Sequence, residues 1–278
     1  MKVTPSGASC GAIVQGIDLR SLDEPGLARL RAVWLQHKVI GIAGQSLDLD
    51  ALEHFARRWG PFGEDPFIAP IAGHPHIVEV RREPDETAPV FAGNWHSDWS
   101  FLASPPAATM LYGEIVPPTG GDTLFADLQA AYQALPAERQ TECRALTTIH
   151  SARRSYAPEG RYGERDQGRS MHIIANDSAR ATQTHPLVRR HPETGQESLF
   201  LSPAYTIGLL GMSDDEAAAR LAPLFEHCGR GEFVYRHRWA AGMLTIWDNR
   251  CLNHMATGGY EGHRRLMYRT TIGESLAS

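Results

Sequence analysis

Two potential metal ligands, His96 and Asp98, lie two residues apart in the stretch 94–101. This stretch is predicted to be extended, and alternate side chains of an extended strand point to the same face. An imidazole and a carboxylate on one face could bind the same ion. A second histidine from elsewhere would complete a set of two nitrogens and one oxygen with open metal positions opposite, which is typical of non-heme Fe(II) oxygenases.

The best candidate for the second histidine is His254, which follows the apolar pattern at 246–248. A His-x-Asp pair is weak evidence by itself, because in a chain with 13 histidines it can be a simple hydrogen-bonded turn. The residues alone do not select His254 over the other histidines. Five of these compete with it: His74, His76, His150, His172 and His185.

Arg265 and Arg269 give a second, independent indication near the end of the chain. They share one face of a predicted strand at 265–272, ~13 Å apart at ~3.3 Å per residue. If that face lines an interior, each guanidinium needs an anion, because an unpaired buried charge is very costly. A carboxylate suits the planar guanidinium. Without the metal ligands, a solvent-exposed strand face would be the better interpretation.

Strands separated by turns must position these residues. Strand patterns occur at 12–19, 39–43, 77–80, 108–115, 123–125, 186–190, 198–201, 233–238, 243–248 and 265–272. Five helices are predicted. Leu27 to Trp34 lie in the first, Asp48, Asp127 and Ser213 are the N-caps of three others, and a short one begins at Pro136. The pattern predicts a mainly β fold with helical decoration, a sandwich or jelly roll.

Two irregular segments, about 61–94 and 151–184, are predicted to be lids or substrate loops within a single domain of residues 1–278. The first is rich in proline and glycine and precedes the candidate ligands. The second is polar and is a candidate for disorder in the absence of a ligand. It carries five arginines: Arg153, Arg154, Arg161, Arg165 and Arg169.

The composition limits the partners of the protein. A net charge of -5 without a basic stripe argues against nucleic acid. The four cysteines form no C-x-x-C pair, which favours reduced thiols in a reducing compartment. No apolar run is long enough for a signal peptide or for a membrane span of ~20 residues. A cytoplasmic protein without a membrane partner is therefore expected.

Taken together, the motifs resemble the taurine dioxygenase / 2,4-dichlorophenoxyacetate dioxygenase (TauD/TfdA) family of Fe(II)- and 2-oxoglutarate-dependent oxygenases. The resemblance runs from about Val14 to Ile272 and includes the spacings of eleven and fifteen residues from His254 to Arg265 and Arg269. The matching motifs are the Trp-His-Ser-Asp run at 95–98, the Thr-Gly-Gly-Asp-Thr run ending at Thr123 and the Trp-Asp-Asn-Arg run at 247–250.

The resemblance implies a double-stranded β-helix and a role for each matching residue. His96, Asp98 and His254 match the iron ligands. Thr123 and Arg265 match the residues that bind the distal carboxylate of the cosubstrate 2-oxoglutarate. Further roles are implied near the prime substrate, with Arg269 at its acid group and Asn94 beside the ligands. With O2, such enzymes hydroxylate a substrate and release succinate and CO2, and no further catalytic residue is expected.

The expected substrate is a small organic anion, aryloxyalkanoate-like, because the chain departs from the taurine pattern. Taurine users carry a histidine in the lid segment, where this chain has Phe-Ile-Ala-Pro at 67–70, and an asparagine where it has Ala92. Phe67, Ile68 and Trp99 instead predict a more apolar substrate pocket. Whether the hydroxylated product then fragments is left open by the sequence.

Three alternatives remain open. The first is a dioxygenase of taurine or of alkylsulfonates or alkylsulfates. A zinc hydrolase with the same ligands is more remote, since no general-base motif such as H-E-x-x-H accompanies them. The third alternative is a non-catalytic jelly-roll binding module, which is also more remote because it would not need every ligand and both arginines. The family resemblance also leads us to expect a homo-oligomer, either a dimer or a tetramer.

Overall fold

An eight-stranded sheet dominates the computed structural model, which describes residues 1–274. All neighbouring strands in it pair antiparallel except β2 and β3. With strands numbered in chain order, their spatial order is β1 (Lys2–Pro5), β2 (Ala12–Gln15), β3 (Val39–Ile42), β14 (Met243–Asp248), β6 (Ala108–Ile115), β16 (Arg265–Ile272), β5 (His74–Arg82) and β4 (Pro70–Ile71).

Three smaller sheets complete the β structure. One contains β13 (Val234–His237), β7 (Thr123–Asp127) and β15 (Leu252–Ala256), with β7 in the centre. A second contains β12 (Thr206–Leu209), β8 (Thr147–Ser151) and β9 (Thr182–Pro186), with β8 in the centre. The strand patterns at 186–190 and 198–201 correspond to an antiparallel hairpin of β10 (Val188–Arg190) and β11 (Glu197–Leu199).

The large sheet and the β13–β7–β15 sheet enclose a buried core. Leu111, Trp247 and Met267 of the large sheet share one apolar cluster with Phe125 and Leu252 of the small one. Burying the inner faces of two sheets against each other is the driving force of a jelly roll. The prediction of a mainly β jelly roll is confirmed.

Helices cover the outer face of the large sheet and the ends of the molecule. They are α1 (Glu24–His37), α2 (Leu49–Trp59), α3 (Leu128–Gln133), α4 (Ala137–Arg144), α5 (Arg153–Tyr156) and α6 (Asp214–Cys228), with two 3₁₀ turns at Asp177–Arg180 and Gly231–Phe233. Trp34 of α1 and Phe55 of α2 pack on Ile42 of the sheet. None of the helices described in residues 1–274 is long and apolar enough to cross a membrane.

The stretch 94–101 is not the continuous strand that was predicted. His96 makes one isolated antiparallel bridge with His254, and residues 98–101 form a turn. Trp99 has a positive φ of 47°, which ends any extended run, and the amide of Leu102 donates to its carbonyl at 2.9 Å. His96 and Asp98 are therefore brought together by a bridge followed by a turn.

The two irregular segments are packed against the rest of the molecule. Segment 61–94 includes β5 of the large sheet, so that loops occupy only its two ends. Segment 151–184 begins at the end of β8 and finishes in β9. Its residues Tyr156, Tyr162 and Met171 are buried in one apolar cluster with Phe67 and Trp99.

Asp127 links α3 to the start of β3, and its replacement should destabilise the folded protein. It is fully buried, caps α3 by accepting from the amides of Gln129 and Ala130, and accepts from Lys38 Nζ at 2.6 Å. Asp127→Ala is expected to reduce the free energy of unfolding by ~3–5 kcal/mol, because Lys38 then loses its partner in a largely buried site.

Asp48→Ala is the matched control for this prediction. Asp48 is also an N-cap, accepting from the amide of Ala51, but it has no lysine partner. Asp48→Ala should reduce the free energy of unfolding by only ~1 kcal/mol. Urea denaturation of both variants checks the difference, and equal losses would contradict a stabilising role for the Lys38–Asp127 pair.

Candidate metal centre and adjoining pocket

His96, Asp98 and His254 meet in the interior of the jelly roll. The backbones of His96 and His254 bond each other in both directions, at 3.0 and 2.7 Å. Asp98 Oδ1 lies 3.6 Å from His96 Nε2 and 3.9 Å from His254 Nε2, and all three residues are buried. Two imidazole nitrogens and one carboxylate oxygen at this spacing could hold a divalent ion such as Fe(II).

Hydrogen bonds orient His96 and Asp98 for this role. His96 Nδ1 lies 2.8 Å from the carbonyl of Asn94, which assigns the proton to Nδ1 and leaves Nε2 free to bind a metal. The hydroxyl of Thr109 donates to Asp98 Oδ2 at 2.7 Å and accepts from Asn249 Nδ2 at 2.8 Å. Trp247 Nε1 in turn donates to Asn249 Oδ1. Only Asp98 Oδ1 is left to face an ion.

The protonation states favour metal binding. Burial would raise the pKa of Asp98, but His254, His96 and Arg269 outweigh it and hold the pKa well below its usual range. Burial, with His96 next in effect, lowers the pKa of His254 to about 3. An ionised carboxylate and a neutral imidazole are the forms that bind metals.

The competing histidines do not join this cluster. His74 faces Glu53 at 3.1 Å, and His76 stacks on the ring of Phe62. His150 is held between Ser100 and Thr148, and His185 faces the carbonyl of Leu102. His172 belongs to neither of the two clusters of metal-binding side chains found in residues 1–274.

A second cluster, His191, Asp248 and Cys251, has suitable spacing but does not fit a metal. Asp248 already accepts two bonds from the guanidinium of Arg250, at 2.8 and 2.6 Å, and lies 2.9 Å from His191 Nε2. Burial raises the pKa of the Cys251 thiol far above its usual value. This cluster is an ion pair that fixes the turn after β14.

Arg265 is a buried cation without a protein anion. Among residues 1–274, no carboxylate lies within ion-pair distance of it, and its Nε has no hydrogen-bond partner. Its guanidinium lies 5.9 Å from the ring centre of Trp239 and 5.8 Å from that of Tyr260. Trp239 Nε1 also donates to the hydroxyl of Thr123 at 3.0 Å, so Thr123 can donate its own proton to another acceptor. These groups fit a small-molecule carboxylate.

Arg269 differs from Arg265 because the chain supplies its anion. Its guanidinium donates to Asp65 and lies 3.9 Å from Asp98 Oδ1, above the ring of Trp99. Asp65 also accepts from Trp99 Nε1 at 3.1 Å. Burial raises the pKa of Asp65 while Arg269 opposes that rise. Arg269 was expected to lie at the acid group of the prime substrate, and its pairing with Asp65 was not predicted.

A small pocket opens beside His96 and Asp98. Asn94, Trp99 and Arg269 line it, and Phe67 supports its wall by stacking on Tyr156 with ring centres 4.8 Å apart. The remaining lining residues are Phe91, Ala92, His96, Asp98, Ser155, Tyr156, Arg161, Tyr162, Ala204 and Tyr205. Five of these lining residues are aromatic, namely Phe91, Trp99, Tyr156, Tyr162 and Tyr205, and their rings could pack against a flat ligand.

Thr109→Val tests the hydrogen bond to Asp98. The substitution keeps the shape of the side chain but removes the donor to Asp98 Oδ2, so the carboxylate is held less firmly. We expect the affinity for Fe(II) to fall ~10–100-fold, as is usual when a partner of a metal ligand is lost. Anaerobic metal titration measures this, and an unchanged affinity would show that the Thr109 bond does not orient Asp98.

Comparisons with known proteins agree with this geometry. The family model described as "Taurine catabolism dioxygenase TauD, TfdA family" matches residues 2–271. An (S)-phenoxypropionate/alpha-ketoglutarate-dioxygenase of Delftia acidovorans is 36% identical over 92% of this chain and 89% of its own length. An alpha-ketoglutarate-dependent 2,4-dichlorophenoxyacetate dioxygenase of Cupriavidus pinatubonensis is 34% identical, over 95% of this chain and 94% of its own.

The chain is also similar to solved structures of such dioxygenases. A crystal structure of a putative alpha-ketoglutarate-dependent taurine dioxygenase from Burkholderia xenovorans superposes with a TM-score of 0.82 at 32% identity. The match covers 99% of this chain and 93% of the other. The similarity thus extends over nearly the whole jelly roll and includes the strands that carry the ligand cluster.

Proposed function

The chain belongs to the TauD/TfdA family, and on this premise we propose that it hydroxylates a small organic acid with an aromatic body, such as an aryloxyalkanoate. As a member of the family it is an Fe(II)- and 2-oxoglutarate-dependent dioxygenase that uses O2. The observation that carries the substrate proposal is the group of five aromatic side chains that line the pocket beside His96 and Asp98. Two relatives named for phenoxypropionate and 2,4-dichlorophenoxyacetate support it.

We assign His96, Asp98 and His254 to the iron and Thr123 and Arg265 to the distal carboxylate of 2-oxoglutarate. The support is the ligand spacing and the absence of a protein anion at Arg265 within residues 1–274. When bound there, Fe(II) and 2-oxoglutarate would supply the activation of O2 for hydroxylation of a substrate C–H bond, with succinate and CO2 as the coproducts.

The side chains of the chain itself would bind the substrate and exclude water. Asn94, Trp99 and Phe67 shape the pocket, and Arg269 contributes a guanidinium that is already paired with Asp65. The apolar surface of the wall would exclude water from the reacting carbon. The histidine and asparagine of taurine users have no counterpart in the segment 67–70 or at Ala92, which makes the taurine alternative the weaker one.

We also propose that the protein is a cytoplasmic homo-oligomer that binds no nucleic acid or membrane. Four free, buried cysteines support a reducing environment, and the net charge of -5 does not favour nucleic acid. Light scattering after size-exclusion chromatography would measure the oligomeric state, and a monomer would contradict this part of the proposal.

Succinate release is the direct test of the proposed function. Purified protein is incubated in air with Fe(II), ascorbate, 2-oxoglutarate and one aryloxyalkanoic acid at a time, and His96→Ala is the negative control. A free acid should stimulate succinate release and its methyl ester should not. Equal turnover of acid and ester, or no stimulation by any acid in the series, would reject an organic acid as the substrate.

A further inference from the structure

Arg169 is a buried arginine behind the aromatic side chains of the pocket, and only 4% of its side chain is exposed. Its guanidinium lies 5.9 Å from the ring centre of Phe91 and 5.2 Å from that of Tyr162, within the range of a cation–π contact. These two rings line the pocket and contact each other with centres 5.1 Å apart. Phe91 belongs to segment 61–94 and Tyr162 to segment 151–184. Arg169 therefore contacts both segments at the place where they meet.

Polar contacts fix the guanidinium of Arg169 in this position. It donates to both carboxylate oxygens of Asp166 and, through Nη2 at 2.9 Å, to the carbonyl of Pro89. Its Nη1 lies 3.7 Å from the carboxylate of Glu86, a side chain that is only 2% exposed. Asp166 belongs to the second segment, whereas Pro89 and Glu86 belong to the first. Because a guanidinium is planar and carries five donors, this one side chain can bridge the two segments.

Glu86 in turn ties this bridge to the large sheet. Its Oε2 accepts from the amide and the hydroxyl of Ser170, at 2.9 and 2.6 Å. Arg82 of β5 donates to the backbone carbonyl of Glu86 at 2.9 Å. In the sheet, Arg82 is the direct partner of Arg265 in β16. The bridge made by Arg169 thus rests on the same sheet that carries Arg265.

Building on the proposed function, we propose that Arg169 is a positioning residue for the aromatic substrate, because it holds Phe91 and Tyr162 together as a preformed wall. Arg169 itself lies behind the rings and does not touch the substrate. A wall that is ordered before binding saves the ligand the free-energy cost of immobilising mobile side chains. Since this cost arises on binding and the bound state is the same, Arg169 should act on KM rather than on kcat.

Arg169→Met tests this role, with Arg180→Met as the matched control. Arg180 lies in the same segment, but its side chain is 52% exposed and its ion pairs, with Glu159 and Asp177, stay within that segment. In Arg169→Met the KM for an accepted aromatic acid should rise about 10-fold, since binding must then order two rings. The kcat, the KM for 2-oxoglutarate and the affinity for Fe(II) should stay within about twofold. In Arg180→Met all four quantities should be unchanged.

Hydrogen exchange of the protein without metal or ligand measures the bridge separately from catalysis. Breaking the bridge should let residues 161–170 open more often, so that their amides exchange about 10-fold faster in Arg169→Met. In Arg180→Met these amides should exchange as in the unsubstituted protein. Unchanged exchange in Arg169→Met would show that its guanidinium does not hold the segment, and the proposal would be wrong.

Asp166→Asn provides the test if Arg169→Met does not fold. The amide keeps the shape of the side chain but removes its charge, so the KM for the acid should rise by about 3-fold with kcat unchanged. An unchanged or lower KM, or a loss of kcat together with a higher KM for 2-oxoglutarate, overturns the proposal and leaves an active enzyme with its proposed function. If no acid stimulates succinate release, the proposed function falls, and hydrogen exchange alone decides whether Arg169 holds the two segments together.

Discussion

Replacing His254 by alanine is expected to abolish stoichiometric Fe(II) binding and succinate formation together. The side chain offers one of three potential ligand atoms that lie within 4.8 Å of one another, and in the other such cluster of residues 1–274 the carboxylate of Asp248 is already paired with Arg250. The loss should exceed the ~10–100-fold effect expected when a hydrogen-bond partner of a ligand is removed, as in Thr109→Val. Anaerobic Fe(II) titration and the succinate assay measure the two effects separately.

His185→Gln is the matched control for His254→Ala. His185 is also a buried histidine, but its ring faces the carbonyl of Leu102, away from the ligand cluster. This variant should bind one Fe(II) per chain and keep its activity. Retention of stoichiometric Fe(II) by His254→Ala, or its loss in His185→Gln, would contradict the assignment of His254 to the metal.

The sequence indicated which candidate ligands would meet, but not the backbone that carries them. His96 and Asp98 are close in sequence, and the resemblance to the family added His254; the structure brings the three side chains together. The strand that holds His254, β15, was missed because it has only five residues and its apolar positions do not alternate cleanly. Its pairing with β7 joins residues about 130 positions apart, and local periodicity carries no information about such pairing.

The contacts that the sequence did not reveal join residues that are far apart along the chain. Asp65 and Arg269 are 204 positions apart, and Trp239 and Thr123 are 116 positions apart. An aspartate in a proline-rich loop has the ordinary composition of a turn, so nothing local distinguishes Asp65 from a solvent-exposed one. The unpaired state of Arg265 was anticipated, since a buried arginine was expected to need an external anion.

Arg265→Met is expected to weaken 2-oxoglutarate binding and, at the same time, to stabilise the protein without it. Removing one partner of a buried charge pair costs at least ~2 kcal/mol, which corresponds to a rise of about 30-fold in the KM for 2-oxoglutarate. Without that carboxylate, Arg265 is a buried charge whose pKa is lowered by desolvation. Replacing buried charges by apolar side chains of similar size has stabilised other proteins by ~1–4 kcal/mol.

Arg264→Met shows whether both effects belong to the buried guanidinium. Arg264 is the preceding residue, but its side chain is 47% exposed and lies 3.4 Å from Glu83, so its replacement should change stability by less than ~0.5 kcal/mol. In the unsubstituted protein 2-oxoglutarate should raise the melting temperature, because it binds the folded state only. At a fixed 2-oxoglutarate concentration that rise should become much smaller in Arg265→Met and persist in Arg264→Met. If Arg265→Met unfolds more easily without 2-oxoglutarate, the contacts of Arg265 with Trp239 and Tyr260 outweigh its desolvation.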